Sequence, residues 1–441
     1  MRRVDVIVVG AGQRGAAYAS YAKYFPERLR VVGVADPREF YRNKFMSEYG
    51  IPEGNVFEDW KQVAARDKFA DAVVISTPDA VHRDPAVAFA NLKYHILLEK
   101  PISTRLDECA EITRVCKEND IFLSVGHVLR YAPWNRKIKE LIDSGEIGDV
   151  VNIQHIEPIG FQHVAHSYVR GNWSVEAKAS FSLLAKSCHD IDLIQWWMNK
   201  KCARVSSFGS LFHFKTSNQP KEANGATRCV GCNIKNECPY SATRIYLDPY
   251  VEKKHAGWPV NVITEFPDIE SIQVALKEGP YGRCVYHCDN DVLDQQTAIL
   301  QYDDGSTGTF SMIGHTEKQC ERETIVYGTK GEIRLVHDST KVTELDSGFT
   351  VDLYSFVTKE HTVFSDCGGI GNDVQSAGKG IGADLANHGG ADYFLIKSFV
   401  EALALNDRSK ILTGPDDTME SHRLVFEIEK ARKENRVVEL L

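Results

Sequence analysis

Residues 4–15 read Val-Asp-Val-Ile-Val-Val-Gly-Ala-Gly-Gln-Arg-Gly, and this stretch decides the fold of the first part of the chain. An apolar run broken only by Asp5 ends at the first glycine, and residues 16–24 have helical character. In such a strand–turn–helix unit the glycines permit a tight turn, close approach of a pyrophosphate, and close packing of helix on strand. The residues predicted to bind a dinucleotide here are Gly10, Gly12, Gln13, Arg14 and Gly15.

Apolar strands recur after this turn at the spacing of alternating βα units. We predict strands at residues 29–35, 71–76, 95–98 and 121–126, with helical stretches between them. Strands joined in this way close into a parallel sheet with right-handed crossovers. Residues 1–126 are therefore predicted to form a doubly wound Rossmann domain.

The pattern changes beyond about residue 150, where longer runs alternate with a period of two. Helices are predicted near the middle and at the end of this half, at residues 186–198 and 416–435. Residues 127–441 are thus predicted to be an α+β domain with a large, mostly antiparallel sheet. Its strands are predicted at residues 150–157, 203–213, 296–302, 308–314 and 437–439.

The composition is that of an ordinary folded protein and argues against several classes. With 441 residues, 43% of them hydrophobic, the chain is long enough for at least two cores. The net charge of −9, without any run of Lys and Arg, argues against a nucleic-acid partner. The first apolar run is too short for a secretory signal or a membrane span, so we expect a cytoplasmic protein with no membrane partner.

Asp36 ends the second predicted strand, about twenty residues after the glycine turn. A carboxylate at this position accepts hydrogen bonds from ribose hydroxyls and repels a 2′-phosphate, so NAD is the favoured cofactor. Arg38 lies two residues further on and offsets part of that repulsion, which leaves NADP as the second choice.

Three further motifs resemble those of the Gfo/Idh/MocA oxidoreductases. They are Ser76-Thr77-Pro78 with His82, Glu99-Lys100-Pro101 after the fourth long strand, and His388-Gly389-Gly390 with Asp392 before a Glu420-Ser421-His422-Arg423 helix. The resemblance spans nearly the whole chain and implies a Rossmann domain, a sheet domain that holds a sugar or polyol near the nicotinamide, and often a homo-oligomer. The cofactor contacts that it implies in the middle of the chain are Ser76, Thr77, Pro78, His82, Glu99 and Lys100.

Lys100 and His189 are the predicted catalytic residues. Hydride transfer from a carbinol carbon needs a base for the hydroxyl proton and a cation that holds the oxygen. The resemblance places Lys100 at the reacting hydroxyl and His189 on the helix that carries the catalytic histidine. Many family members have an aspartate four residues before that histidine, whereas this chain has Ala185 there, with Lys186 beside it.

Two segments rich in aromatic and polar residues are predicted to line a sugar pocket. Residues 126–131 follow a predicted strand end, and residues 160–173 are dense in His, Arg, Asn and aromatic side chains. Aromatic faces pack on the C–H side of a sugar ring while polar groups fix its hydroxyls. The predicted substrate-binding residues are Lys100, Tyr131, His163, His166, Tyr168, Trp173, Lys186 and His189.

Residues 216–287 form a polar insertion whose cysteines have metal-ligand spacing, and a second loop-like stretch runs over residues 364–391. Eleven cysteines without a secretory signal predict free thiols, some of them ligands, and C-x2-C-x5-C is typical of a zinc knuckle. We predict a structural zinc held by Cys229, Cys232, Cys238 and Cys284. The open alternatives for the fourth ligand are Cys288, Cys188 and His287.

These residues together predict an NAD-dependent dehydrogenase acting on a secondary alcohol of a sugar, sugar derivative or cyclitol. An alternative keeps the cofactor but uses transient oxidation and elimination to release an aglycone, which makes the protein a glycosidase. A third class is a nucleotide-binding sensor without catalysis. Retention of both Lys100 and His189 argues against that third class.

Overall fold

The first part of the chain folds around a six-stranded parallel sheet. The computed structural model describes residues 1–338, 340, 347–365, 367, 385 and 387–440. Strand order is β3-β2-β1-β4-β5-β6, and every pairing is parallel, which confirms the predicted doubly wound fold. The strands are β1 (Val4–Val9), β2 (Leu29–Ala35), β3 (Val56–Phe57), β4 (Ala72–Ile75), β5 (His95–Leu98) and β6 (Leu123–Val125).

Both faces of this sheet are covered, which explains the nearly continuous apolar sequence of β1. Val6 and Val8 belong to one buried cluster, whereas Ile7 and Val9 belong to a second one. Alternate side chains of one strand point to opposite faces, so a strand buried on both sides is apolar throughout. The helices of this part are α1 (Gln13–Tyr24), α2 (Glu39–Tyr49), α3 (Trp60–Ala64), α4 (Arg83–Asn91) and α5 (Leu106–Glu118).

The second part of the chain is built on a nine-stranded sheet of order β14-β13-β12-β11-β7-β10-β9-β8-β15. Among the described strands of this second sheet, only β10 and β7 pair in parallel. This confirms the predicted, mostly antiparallel sheet. The strands are β7 (Val150–Pro158), β8 (Cys202–Ser210), β9 (Gln295–Tyr302), β10 (Thr307–Ile313), β11 (Glu323–Gly328), β12 (Gly331–His337), β13 (Phe349–Ser355), β14 (His361–Phe364) and β15 (Val438–Glu439).

Helices cover one face of this sheet and fill the insertion between β8 and β9. They are α6 (Pro133–Asp143), α7 (Phe161–His163), α8 (Ser182–Ala185), α9 (Cys188–Met198), α10 (Asp248–Lys253), α11 (Val260–Ile263), α12 (Ile269–Glu278), α13 (Ala391–Leu405) and α14 (Pro415–Glu434). The segments Val164–Arg170 and Thr243–Leu247 are π-helical. Among the described residues, none of the helices combines the length and apolarity that crossing a membrane requires.

The structure differs from the predicted elements at the start of one helix and in strands that were not predicted. The helix predicted from residue 186 begins at Cys188, and the separate helix α8 precedes it. Strands β11 to β14 were not predicted, because each spans only four to seven residues and β13 and β14 bury few or none of theirs. The predicted loop at residues 364–391 lies largely outside the described residues, and the boundary after residue 126 stays a prediction.

Candidate active site

The glycine turn between β1 and α1 is held by close backbone contacts. Gly10 has a φ of +93°, and a Cβ atom there would lie 2.5 Å from the Ser76 carbonyl oxygen. A Cβ on Gly15 would lie 2.1 Å from the Gly10 carbonyl oxygen. A Cβ on Gly12 would meet only Arg38 Nη2, at 3.5 Å, so protein packing does not require a glycine there. The open space beside Gly12 fits a phosphate group that approaches the backbone.

The N-terminus of α1 points its unpaired backbone N–H groups at the same space. Gly12 is the N-cap, makes no side-chain capping bond, and has no acidic residue in the turn that follows. Uncapped N–H donors and the partial positive charge of a helix N-terminus favour an anion. This turn therefore fits the pyrophosphate of a dinucleotide.

Asp36 lies buried at the end of β2, 3% exposed, and accepts four hydrogen bonds from the protein. Its donors are the backbone N–H of Ala11 at 2.8 Å and, at 2.9 Å each, the backbone N–H, Nε and Nη2 of Arg38. Burial raises the pKa of Asp36, but the bonds from Arg38 outweigh it and lower that pKa overall. The Arg38 guanidinium also stacks on Tyr41, 4.0 Å from the ring centroid, and remains half exposed.

Arg14 and Glu99 belong to a network of charged side chains that links the Rossmann sheet region to the second part of the chain. Arg14 Nε donates to Glu99 Oε1 at 2.6 Å, and its Nη2 donates to Asp392 Oδ1 at 2.5 Å. Asp392 is also bonded to His388 Nδ1 at 3.0 Å. Glu99 accepts further bonds from the Tyr18 hydroxyl and from the backbone N–H of Lys100. Arg14 and Glu99, which are both predicted to contact the cofactor, thus also hold the chain in place just before Lys100.

The segment after β4 borders the glycine turn, and its residues Ser76, Thr77 and His82 make different contacts. Ser76 Oγ donates to the Gly10 carbonyl oxygen at 2.9 Å, and Thr77 Oγ1 is buried without a hydrogen-bond partner. His82 is fully buried, with Nε2 2.9 Å from the Thr77 carbonyl and Nδ1 2.8 Å from the Pro101 carbonyl. His82 therefore braces two loops, and its contact with a cofactor stays a prediction.

Lys100 and His189 meet where the carboxyl end of β5 faces the first turn of α9. The Lys100–Pro101 peptide is cis, and Lys100 Nζ donates to the Ala185 carbonyl oxygen at 2.7 Å. At Ala185, where the resemblance implies an aspartate in many members, this chain supplies a backbone carbonyl oxygen to the lysine. The structure brings together the two residues predicted to be catalytic.

His189 is a buried imidazole among other imidazoles and cations. It is 5% exposed, its Nδ1 has no hydrogen-bond partner, and its ring lies 5.4 Å from that of His127. Burial lowers the pKa of His189 well below the ordinary value, and the charge of Lys100 lowers it further. A neutral histidine with an unused ring nitrogen can accept a proton at neutral pH.

Lys186 is held by a buried ionic network that the sequence motifs did not reveal. Its Nζ lies 3.0 Å from Glu157 Oε1, while Glu157 Oε2 lies 3.1 Å from Arg322 Nη2. Arg322 Nε donates to Asp190 Oδ1 at 2.8 Å. Burial lowers the pKa of Lys186, but the neighbouring Cys320 and Glu157 raise it above the ordinary value overall. Lys186 is therefore a permanent cation beside the site.

Cys320 and three residues of the 160–173 loop complete this cluster. Lys186 Nζ lies 3.0 Å from Cys320 Sγ, and His163 Nδ1 lies 3.5 Å from the same sulfur. Tyr168 packs between His163 and Trp173, at centroid distances of 6.1 and 6.2 Å. Cys320 belongs to no recognisable sequence motif. It reaches Lys186 and His163 because it lies in the connection between β10 and β11.

Two of the predicted substrate-binding residues bond to other parts of the protein. The Tyr131 hydroxyl is 3.1 Å from Thr413 Oγ1 and accepts the Leu412 N–H at 3.0 Å, deep between β6 and α14. His166 Nδ1 bonds to the Tyr246 hydroxyl at 2.9 Å, and its ring stacks on Tyr281. The Tyr131 hydroxyl and His166 Nδ1 therefore anchor neighbouring elements, and contact of either residue with a substrate stays a prediction.

The four predicted zinc ligands line one small cavity together with buried Arg170. Within the described part of the chain, however, no three His, Cys, Asp or Glu side chains are arranged to hold a metal ion. Cys229 Sγ accepts from Arg170 Nη2 at 3.5 Å, and Cys284 Sγ accepts from Gln219 Nε2 at 3.6 Å. The structure does not support the predicted zinc site at Cys229, Cys232, Cys238 and Cys284.

Two family models match the chain and together cover most of its length. One, described as Oxidoreductase family, NAD-binding Rossmann fold, matches residues 4–127. The other, described as Oxidoreductase family, C-terminal alpha/beta domain, matches residues 139–440. The chain belongs to the Gfo/Idh/MocA oxidoreductase family. This confirms the resemblance drawn from the motifs, and the NAD-binding Rossmann fold with it.

Individual members of the Gfo/Idh/MocA family are distant relatives of this chain. YteT of Bacillus subtilis, an oxidoreductase by name, is 24% identical over 377 residues, which are 81% of this chain and 83% of YteT. The 2,7-anhydro-N-acetylneuraminate hydratase of Mediterraneibacter gnavus is 27% identical over 209 residues. That match spans 47% of this chain and only about half, 53%, of the hydratase.

Solved structures show the same fold over the full length. Scyllo-inositol dehydrogenase from Lactobacillus casei, crystallised with NAD(H) and scyllo-inositol, superposes with a TM-score of 0.61. It is 16% identical, and the superposition covers 99% of both chains. The fold, with its two sheets, is therefore shared.

Proposed function

We propose that this chain transfers a hydride between NAD and a secondary alcohol of a sugar, sugar derivative or cyclitol. The observation that carries the proposal is the pairing of Lys100 with neutral, buried His189 at the end of β5, next to the glycine turn. Ligands of parallel sheets bind at this edge. The bound scyllo-inositol in the Lactobacillus casei relative supports the substrate class.

The proposed chemistry assigns one task to each residue. Bound NAD supplies the hydride acceptor. His189 takes the hydroxyl proton, since burial and the neighbouring cations keep its ring neutral. Lys100 holds the oxygen as charge develops on it. Lys186 adds a second fixed cation, while His163, Tyr168 and Trp173 are placed to contact the ring.

NAD is the proposed cofactor, with NADP as the second choice. Buried Asp36 is the observation that supports NAD, because a carboxylate at this point repels a 2′-phosphate. Arg38 neutralises that carboxylate and keeps half of its side chain exposed, so a 2′-phosphate has a partner as well. Binding of NAD+ and NADP+ to wild type and Arg38→Ala distinguishes the two, with a larger loss for NADP+ expected.

The decisive experiment measures reduced nicotinamide in a single turnover. Wild-type enzyme loaded with NAD+ is mixed with scyllo-inositol, myo-inositol and a panel of monosaccharides and glycosides. Lys100→Ala and His189→Asn should each slow the step by about a hundredfold or more. Lys44→Ala, an exposed lysine on α2, is the matched control and should leave the rate unchanged. Absence of reduction with every compound contradicts the proposal.

A second candidate is the redox-assisted glycosidase. It is favoured by the sequence match to a hydratase and by the departure from the common aspartate at Ala185, where Lys100 instead bonds a carbonyl oxygen. In this reaction a hydroxyl is oxidised by NAD+, the neighbouring C–H is deprotonated, the aglycone leaves by elimination, water adds to the resulting double bond, and the hydride returns to the ketone. Release of p-nitrophenol from p-nitrophenyl glycosides without net reduced nicotinamide identifies it.

We also propose that the chain is a homo-oligomer. Ile299 lies opposite Thr309 in the β9–β10 ladder of the nine-stranded sheet, on a face that leaves apolar side chains exposed. Phe208 on β8 and Ile299 on β9 are 70% and 46% exposed. Light scattering after gel filtration tests this, and Phe208→Asp should shift any oligomer toward the monomer.

A further inference from the structure

Hydrogen-bond donors that have no acceptor in the described part of the chain meet around Cys320, beside the catalytic pair. Tyr168 is 5% exposed, yet its hydroxyl makes no hydrogen bond to any residue that the structure describes. Burial raises the pKa of Tyr168, and the charge of neighbouring Lys186 lowers it only in part, so the hydroxyl is a neutral donor close to that ammonium. His163 Nδ1 lies 3.5 Å from Cys320 Sγ, and its Nε2 bonds to none of the described residues. A buried hydroxyl without a partner indicates a place for a bound acceptor.

The Lys186 ammonium has one more N–H group than it has partners among the described residues. Its Nζ lies 3.0 Å from Cys320 Sγ and 3.0 Å from Glu157 Oε1, whereas an ammonium has three donors. Glu157 also pairs with Arg322, so Lys186 shares a single carboxylate with another cation. The Lys186 side chain is 11% exposed, which allows its remaining donor to reach a ligand.

The two buried ionic networks beside the catalytic pair contain as many carboxylates as cations, but the two signs differ in position. The side chains of the four carboxylates are between 0% and 7% exposed, and each pairs with a neighbouring cation. The more exposed groups are basic: Lys100 is partly exposed and bonds to a neutral carbonyl oxygen, and the His388 side chain is 34% exposed. The carboxylates are Glu99, Glu157, Asp190 and Asp392, and the permanent cations are Arg14, Lys100, Lys186 and Arg322. A ligand beside the catalytic pair therefore meets N–H and O–H groups before it meets these carboxylates.

We propose that the substrate is an acidic sugar whose carboxylate is held by Lys186, Tyr168 and His163, an inference that rests on the proposed function. A carboxylate offers two oxygens that accept several hydrogen bonds, which matches an ammonium, a hydroxyl and an imidazole N–H. One negative charge is favoured over the two of a phosphate, because Lys186 is the permanent cation of the three and already shares Glu157. The carboxylate takes no part in the hydride transfer and only orients the ring.

The ring of such a sugar can reach both the carboxylate site and the catalytic lysine. Lys100 Nζ is bonded to the carbonyl oxygen of the residue directly before Lys186. The Trp173 ring centroid lies 6.2 Å from that of Tyr168, and Trp173 Nε1 donates to Asp79 Oδ2 at 3.0 Å. Trp173 is thus held where its face can pack on the C–H side of the ring, and the Asp79 carboxylate is already engaged.

The first test compares substrates that differ in charge. Enzyme loaded with NAD+ is assayed for reduced nicotinamide with D-glucuronate and D-galacturonate, and with their uncharged counterparts D-glucuronamide, D-glucose and D-galactose. D-glucose 6-phosphate is included as a dianion. We expect kcat/KM for an acidic sugar to exceed that for its uncharged counterpart by about a hundredfold, since the charge-assisted hydrogen bonds are lost with the charge.

Two variants test whether the named groups hold the carboxylate. Tyr168→Phe removes a hydroxyl that has no partner among the described residues, so stability should be kept while the acid-to-neutral ratio of kcat/KM falls about tenfold. Lys186→Met removes the charge and should lower the same ratio about a hundredfold. Lys277→Met, at an exposed lysine on α12, is the matched control and should leave the ratio unchanged.

A binding measurement separates this inference from the proposed function. Wild type and Lys186→Met are loaded with NADH, which cannot oxidise an alcohol, and are titrated with D-glucuronate and D-glucuronamide while nicotinamide fluorescence is followed. Tighter binding of D-glucuronate to wild type alone supports the carboxylate site, even if no sugar reduces the nicotinamide, a result that contradicts only the proposed function. Equal kcat/KM for charged and uncharged sugars, or a preference for D-glucose 6-phosphate, overturns the carboxylate site while the proposed function stands.

Discussion

Gly12 precedes α1 and Gly15 lies in its first turn, yet their substitution should affect different properties. Substitution of Gly12 should weaken cofactor binding, whereas substitution of Gly15 should reduce stability. Gly12 has a φ of −73°, which alanine adopts freely, and its Cβ would meet only Arg38 Nη2 at 3.5 Å. Gly12→Ala should therefore weaken NAD+ binding by about tenfold or more with little loss of stability, because the methyl group fills the space left for the pyrophosphate. Equilibrium titration with NAD+ and thermal unfolding of the free protein measure the two effects.

Gly15→Ala is the matched comparison. Its Cβ would lie 2.1 Å from the Gly10 carbonyl oxygen, a backbone atom that cannot turn aside. We expect the free energy of unfolding to fall by about 1–3 kcal/mol even without cofactor. If Gly12→Ala destabilises the free protein as much as Gly15→Ala, the open cradle at Gly12 is contradicted.

His189 should also determine the acid limb of the activity profile. Because its pKa in the folded protein is well below the ordinary value, the ring stays neutral and competent as a base as the pH falls through 6.5. We expect kcat/KM to stay level from pH 8 down past pH 6.5, and to decline only at lower pH. A decline centred near 6.5 indicates a solvated histidine and contradicts this assignment.

At the scale of elements, Glu157 joins β7 to both α8 and β11 through two cations. Its side chain is fully buried, and Glu157→Gln would leave Lys186 and Arg322 with one carboxylate, that of Asp190, instead of two. We expect a loss of about 3–5 kcal/mol in the free energy of unfolding, measured by chemical denaturation.

The control for that network is Glu140→Gln on α6. Glu140 pairs with Lys137 at 2.8 Å, but the Glu140 side chain is 65% exposed. Solvent screens such a pair, so the expected loss is below about 1 kcal/mol. Equal effects of the two substitutions are incompatible with a buried, mutually compensated network.

Local sequence patterns predicted those elements that pack against residues close to them in the sequence. The β1 strand, its glycine turn and α1 were predicted because each glycine has a local conformational task. Lys100 and His189 were found through short motifs in the same way. Glu157 and Arg322 were missed, since residues 165 positions apart meet only after the nine-stranded sheet has formed.

The direction of side chains within a predicted loop was equally hidden. His163 and His166 stand in one polar stretch, and both approach Trp258, but only His163 reaches Cys320. His166 instead bonds Tyr246, which belongs to the insertion. The spacing of the cysteines likewise indicated that they gather, which the shared cavity bears out, but it could not indicate the orientation of their sulfur atoms.

For the whole molecule, buried histidines should govern acid stability. His422 on α14 accepts the Ile102 N–H at Nε2 and is paired through Nδ1 with the Thr418 carbonyl, so protonation would set two N–H groups against each other. Burial and the neighbouring His127 lower the pKa of His422 to about 3. Burial and Arg170 lower that of His166 to about 3, and burial and Lys68 lower that of His95 to about 4.

Because these folded-state pKa values lie below the unfolded value of about 6.5, the unfolded chain binds more protons between pH 6.5 and 4, and stability is lost as the pH falls through that window. Each histidine contributes up to about 1.4 kcal/mol per pH unit to the slope of stability against pH. The three together contribute about 4 kcal/mol per pH unit. Chemical denaturation at closely spaced pH values measures this slope. His422→Gln removes one titrating group and should reduce the slope by about 1.4 kcal/mol per pH unit, whatever it does to stability at pH 7.5. An unchanged slope in His422→Gln means that His422 is already protonated in the folded protein, which is incompatible with its bond from Ile102.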